Sequence, residues 1–141
     1  MSASSARYAR GVLDTSAVIA LPRLLDTRQL PDTPLITTIT LAELSVGPLV
    51  AHSEAERSAR QMHLQQAEAD FDPLPFDASA ARTFGRVAAC LRQTGRKVSA
   101  RSYDAMIAAI ALASGLPVYT GNPDDFAGIE GLEIMHVALP T

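Results

Sequence analysis

The chain has 141 residues, 48% of them hydrophobic and 19% charged, which is enough apolar material for one core and too little length for a second domain. No run reaches the roughly 18 consecutive apolar residues of a membrane span, and MSASSARYAR has no apolar stretch behind its arginines, so the expectation is a cytoplasmic protein with no signal peptide and no membrane. A single cysteine, Cys90 in VAACL, excludes an internal disulfide and reads as a small buried hydrophobe, while the absence of Trp and 5% aromatics favour a helix-rich core over an all-β one.

In chain order, residues 1–10 are expected to form a mobile tail and residues 11–141 one domain. GVL (11–13) reads as a short buried strand running into a helix over DTSAVIAL, with Thr15 or Ser16 as N-cap and Asp14 at the strand's C-terminal end. Pro22 stops that helix, and Pro31 and Pro34 bracket a loop. LITTI (35–39) has the β-branched content of a second strand. TLAELSVG (40–47) predicts a short helix carrying Glu43 and ended by Gly47 and Pro48. Ser53 to Ala69 is an exposed, polar helix, PLPF (73–76) a weak strand, and Ala78 to Thr94 an amphipathic helix stopped by Gly95. In RSYDAMIAAIALASG, the residues from Ala105 to Ala113 are all apolar, so this helix is expected to be buried on nearly every side, with Asp104 as its only acidic residue. LPVYT (116–120) is a strand, GNPDDF (121–126) a tight turn, and LEIMHV (132–137) a last strand. Such alternation predicts an α/β fold, a three-layer α/β/α sandwich around a mainly parallel sheet, with ligands bound beyond the C-terminal strand ends.

The net charge of −3 conceals a basic segment. Between Asp77 and Asp104 there is no acidic residue, and Arg82, Arg86, Arg92, Arg96, Lys97 and Arg101 all fall there. Such a run is either a solvated helix face or a surface for phosphate. The acids are placed more tellingly. Asp14 follows a buried strand, Asp104 opens a buried helix, and Asp124 and Asp125 follow PVYT. Each alone could be a cap or a turn residue. Together beside an apolar core they require raised pKa values or a cation that holds them ionised. An all-oxygen donor set favours Mg²⁺ or Mn²⁺ over Zn²⁺, and His52, His63 and His136 have no metal-ligand spacing.

The segments LDTSAVIAL, LAEL, DAMIAAIA and TGNPDDF, in this order and extending over nearly the whole chain, resemble the four motifs of PIN-domain nucleases, VapC-type toxins in particular. The resemblance implies that Asp14, Glu43, Asp104 and Asp125 are the catalytic acids and the metal ligands, with Ser16 and Thr120 orienting them. It also implies Mg²⁺-dependent RNA cleavage, a homodimer and a cognate small antitoxin as partner. Asn122 stands where many relatives carry another Asp, which bears on whether a second ion is held; it is placed with Ser16 and Thr120 among the orienting residues. Arg82, Arg86, Arg96 and Arg101 are candidates for RNA-backbone contacts. Three other readings compete: a structure-selective DNA nuclease, an RNA-binding module that has lost catalysis, and a phosphoacceptor domain. The last needs a lysine late in the chain, and the only lysine, Lys97, precedes the Asp104 helix.

Overall fold

The computed structural model describes residues 8–140. Its first strand, β1 (Arg10–Leu13), is buried from Gly11 onward, as a strand covered on both faces must be. It pairs in parallel with β2 (Thr33–Leu35) on one side and β3 (Val118–Thr120) on the other, and β3 pairs in parallel with β4 (Ile134–His136). The sheet order is therefore β2-β1-β3-β4. Because side chains alternate across a strand, the register Val12↔Val118 and Leu13↔Tyr119 sorts the central strands into two faces. Val12 and Val118 meet Val87 and Leu91 of α4 (Ala78–Gln93) and Ile107, Ala108 and Ala111 of α5 (Ser102–Ala113). Leu13 and Tyr119 meet Ala17 and Val18 of α1 (Thr15–Ala20), Leu44 of α2 (Thr38–Val46) and Ala67 of α3 (Glu54–Asp70). Helices thus cover both faces of a parallel sheet, the three-layer sandwich expected.

Gly11 is required where it stands. A Cβ there would lie 2.4 Å from Cε1 of the buried Tyr119 ring, so only a glycine lets that ring lie across β1. On the other face, α5 is apolar almost all round, and its alanines allow close approach to sheet and neighbour. α4 and α5 run antiparallel: Asp77, Ser79 and Ala80 at the start of α4 share a cavity with Ile110, Ala113 and Ser114 at the end of α5.

Four local expectations are corrected. The strand begins at Arg10, and the carbonyls of Tyr8 and Ala9 accept from the backbone of Asp32 and Thr33, so residues 8–10 are held by the sheet and do not belong to the expected tail, whose residues 1–7 lie outside the described residues. LITTI is not a strand: β2 ends at Leu35, and Thr37 turns the chain into α2 by accepting from the N–H of Thr40. Its hydroxyl supplies a cap, which outweighs β propensity here. PLPF contributes only an isolated bridge between Leu74 and Thr37. The N-cap of α1 is Asp14, not Thr15 or Ser16. Among the described residues no helix is long and apolar enough to cross a membrane.

Candidate active site

The sheet changes direction of build between β1 and β3, since the chain leaves β1 for β2 on one side and returns to β3 on the other. Carboxyl ends of strands at such a point open into a crevice that no connection covers. Asp14 and Thr120 stand there. Asp14 is 4% exposed and both of its carboxylate oxygens are held: Oδ1 accepts from the N–H of Ala17 at 3.0 Å and from Ser16 Oγ at 2.7 Å, and Oδ2 accepts from Thr120 Oγ1 at 2.5 Å, which leaves one lone pair on Oδ2 for a further partner. Burial raises its pKa, these three donors pull it back, and the charge of Asp125 raises it further.

Glu43 reaches the crevice from α2. Its Oε1 accepts from Thr15 Oγ1 at 2.7 Å, and Thr15 Oγ1 lies 3.0 Å from Thr40 Oγ1. Partial burial raises the Glu43 pKa, the Thr15 bond lowers it, and the Asp14 charge raises it. Asp104 occupies the first turn of α5, where the helix dipole favours a negative charge. Its pKa is nevertheless pushed up to about 6, first by burial and then by the charges of Asp125, Asp14 and Glu43, with Arg101 opposing. The Asp104 carboxyl thus lies within electrostatic reach of the other three.

Asp125 lies in the 3₁₀ turn Pro123–Phe126 that follows β3, anchored by the fully buried Phe126. Its Oδ1 pairs with Arg101 Nη1, and Arg96 Nη1 donates to the carbonyl of Asp124 one residue earlier. Two arginines from the α4–α5 connection therefore hold the acidic turn. Ser16 Oγ accepts from the N–H of Gly121 while donating to Asp14, and Thr120 Oγ1 accepts from the N–H of Asn122. Ser16 and Thr120 thus contact Asp14 directly, whereas Asn122 contributes its backbone and its side chain is exposed.

All four predicted acids are brought together, as are Ser16, Thr120, Arg96 and Arg101. Arg82 and Arg86 are not. Arg86 lines a cavity with Leu112, Ile129 and Glu130, at the end of α5 remote from Asp104, and Arg82 lies a further turn toward the start of α4. They stand apart from Arg96 and Arg101 along α4, which runs antiparallel to α5. The sequence reading missed Thr15 and Thr40; the available signal was a hydroxyl directly after Asp14 and another one helical turn before Glu43. A separate, mainly apolar cavity of about 350 Å³, lined by Val18, Leu21, His63 and Phe71 among others, contains none of the four acids.

The chemistry of the donor set fits a hard divalent cation: carboxylates alone, with neither Cys nor His among the groups that perturb one another. As placed, no three Asp, Glu, His or Cys side chains among the described residues stand close enough to clasp an ion.

Residues 11–132 match the family model of the PIN domain. The chain belongs to the PIN-domain family. This PIN domain is 43% identical to Ribonuclease VapC5 of Mycobacterium tuberculosis (strain ATCC 25618 / H37Rv) over 92% of its own length and 96% of the relative's. It is 30% identical to Ribonuclease VapC1 of Rickettsia felis, over 90% and 96% of the two chains. Among solved structures, it matches the VapBC-5 toxin-antitoxin system of Mycobacterium tuberculosis with a TM-score of 0.79 over 92% of this chain and 99% of the other, at 43% identity. It also matches DNA-bound VapBC from Salmonella typhimurium with a TM-score of 0.73 at 26% identity, over 90% and 97% of the chains.

Proposed function

We propose that this PIN domain is a Mg²⁺-dependent endoribonuclease and the toxin of a toxin-antitoxin pair, acting in the cytoplasm. The observation that carries the reading is the convergence of Asp14, Glu43, Asp104 and Asp125 at the switch point of a parallel sheet, close enough that burial and mutual charge raise the Asp104 pKa to about 6. The names of its VapC relatives support RNA as substrate. Their structures, solved as toxin-antitoxin systems, support a cognate antitoxin. A homodimer belongs to the same reading, and light scattering tests it.

Asp14 and Asp104 would hold Mg²⁺, with Mn²⁺ as the alternative, and Glu43 and Asp125 would complete the set. The ion, when bound, supplies Lewis acidity: it makes water a nucleophile at neutral pH and offsets phosphate charge during in-line displacement. The chain's own residues do the positioning. Ser16, Thr120 and the N–H of Ala17 fix the Asp14 carboxylate, leaving it no rotational freedom. Arg101 and Arg96, at the rim, would meet the phosphates on either side of the scissile bond. With water as the nucleophile and the 3′ oxygen as the leaving group, the P–O3′ bond would break and the products would carry a 5′-phosphate and a 3′-hydroxyl, with no part for the 2′-hydroxyl.

The test is cleavage of end-labelled total RNA by purified protein with EDTA, Mg²⁺ or Mn²⁺, beside an Asp14→Asn/Asp104→Asn double variant. Discrete metal-dependent cuts that vanish in the variant are expected. RNA binding without cleavage would favour a binding module, and cleavage of structured DNA alone would favour a DNA nuclease.

A further inference from the structure

The hydroxyl of Thr15 has no part in capping α1, because Asp14 performs that task. Its bonds run instead to another helix. Thr15 Oγ1 donates to Glu43 Oε1 at 2.7 Å and lies 3.0 Å from Thr40 Oγ1. An ionised carboxylate oxygen only accepts, and a threonine hydroxyl has one proton to give. With that proton committed to Glu43, the bond between the two threonines must be donated by Thr40. The order is fixed: Thr40 to Thr15 to Glu43, each bond polarising the next.

The placement of the donors matters as much as their order. Thr40 is fully buried, and it precedes Glu43 by three residues on α2, so both project from the same side of that helix. Thr15 follows Asp14 directly in the chain. One dipeptide therefore carries the Asp14 carboxylate and also grips the carboxylate that α2 brings in. Glu43 has three side-chain torsions between backbone and carboxylate, and without an anchor it would be the least fixed of the four acids.

We propose that Thr15 is the positioning residue for Glu43: through the chain of hydroxyls that starts at Thr40, it sets the spacing of the Glu43 and Asp14 carboxylates for the ion they share. The inference rests on reading the four carboxylates as a metal site. A ligand's hydrogen-bond partners commonly govern metal affinity by about 10- to 100-fold, so the effect is readable.

The experiment is titration of the full chain with Mn²⁺ by calorimetry, for the unaltered protein and for Thr15→Val, Thr15→Ser and Thr40→Val. Thr15→Val keeps the shape and removes the hydroxyl; about tenfold weaker binding is expected. Thr15→Ser retains the donor and should bind within about twofold of the unaltered protein, as expected when the hydroxyl rather than the methyl is what matters. Thr40→Val should fall between, because the bond from Thr15 to Glu43 persists without its own donor. Circular dichroism establishes that each variant is folded, and Thr15→Ala replaces Thr15→Val if the latter is not. Unchanged affinity in Thr15→Val, or a serine variant as weak as the valine one, would overturn the role of Thr15 while leaving the metal site standing. Absence of Mn²⁺ binding by the unaltered protein would overturn the metal site, and this inference with it.

Discussion

Asp14 serves as a helix cap and as the most buried acid of the site, and the two roles can be separated by substitution. Asparagine also caps helices well, so Asp14→Asn keeps the bond to the N–H of Ala17 while removing the charge. Expected is complete loss of RNA cleavage with unfolding free energy changed by no more than about 1 kcal/mol, whereas Asp14→Ala should cost about 2 kcal/mol because the cap goes as well; urea denaturation of both distinguishes the roles. Asp104 makes the site pH-sensitive. Its folded-state pKa of about 6 lies above the ordinary 3.8, so between these values the folded protein holds a proton that the unfolded chain has released. Stability from this group is therefore full below the lower value and is lost as pH rises through the higher one. For a half-exposed carboxyl, screened by solvent, the loss is on the order of 1 kcal/mol. Asp14 and Glu43 are shifted in the same direction. In EDTA the melting temperature should thus drop between pH 5 and pH 7, Asp104→Asn should flatten that drop, and Mg²⁺ should offset it by favouring the ionised carboxylates. The acids themselves were legible in the sequence, because a carboxyl beside a buried strand or inside an apolar helix is out of place without a purpose. The partners of Glu43 and Asp125 were not: Thr15 and Arg101 lie 28 and 24 residues away from them, and only the packing of α1 on α2 and of the α4–α5 connection on the turn after β3 brings them together.

Among the elements, α5 and the two central strands were readable because nothing competes with their pattern: an unbroken apolar run with a glycine stop, and short apolar segments bounded by turn residues. LITTI was misread for a physical reason. Its β-branched residues suit a strand, but Thr37 supplies a cap bond to the N–H of Thr40, and the next residues complete a helix whose far side presents Glu43. A cap decides locally what propensity only biases. The contact between β1 and the Tyr119 ring of β3 depends on a residue that looks unremarkable in GVL. Gly11→Ala drives a Cβ into the Tyr119 ring at 2.4 Å, and that ring is 2% exposed with nowhere to retreat. The expected cost is about 1 to 3 kcal/mol, read as a lower urea midpoint with unchanged slope.

At the scale of the whole molecule, the antiparallel pairing of α4 and α5 divides the basic segment into two groups that the linear sequence shows as one. Arg96 and Arg101 come to the acidic turn, while Arg86 lies midway along α4 beside Leu112 and Glu130, and Arg82 a turn nearer the start of that helix. In the catalytically inactive Asp14→Asn background, Arg96→Ala and Arg101→Ala should each weaken RNA binding and reduce the slope of log affinity against log salt by about 0.7, the value for one lost single-strand phosphate contact. Arg82→Ala and Arg86→Ala should leave both unchanged, and filter binding across a salt series reads the difference. The three-layer arrangement was predictable from alternating strands and helices; the pairing of β1 with β3 in the middle of the sheet was not, since order within a parallel sheet is set by crossovers that no local pattern encodes. That pairing has a consequence in time. The hydroxyl that seats Asp14 comes from Thr120, 106 residues later in the chain, and the turn bearing Asp125 comes later still. A nascent chain that has already delivered Asp14, Glu43 and Asp104 to the outside of the ribosome still lacks the strand that joins them, so the four carboxylates come together only after β3 and the turn behind it have emerged.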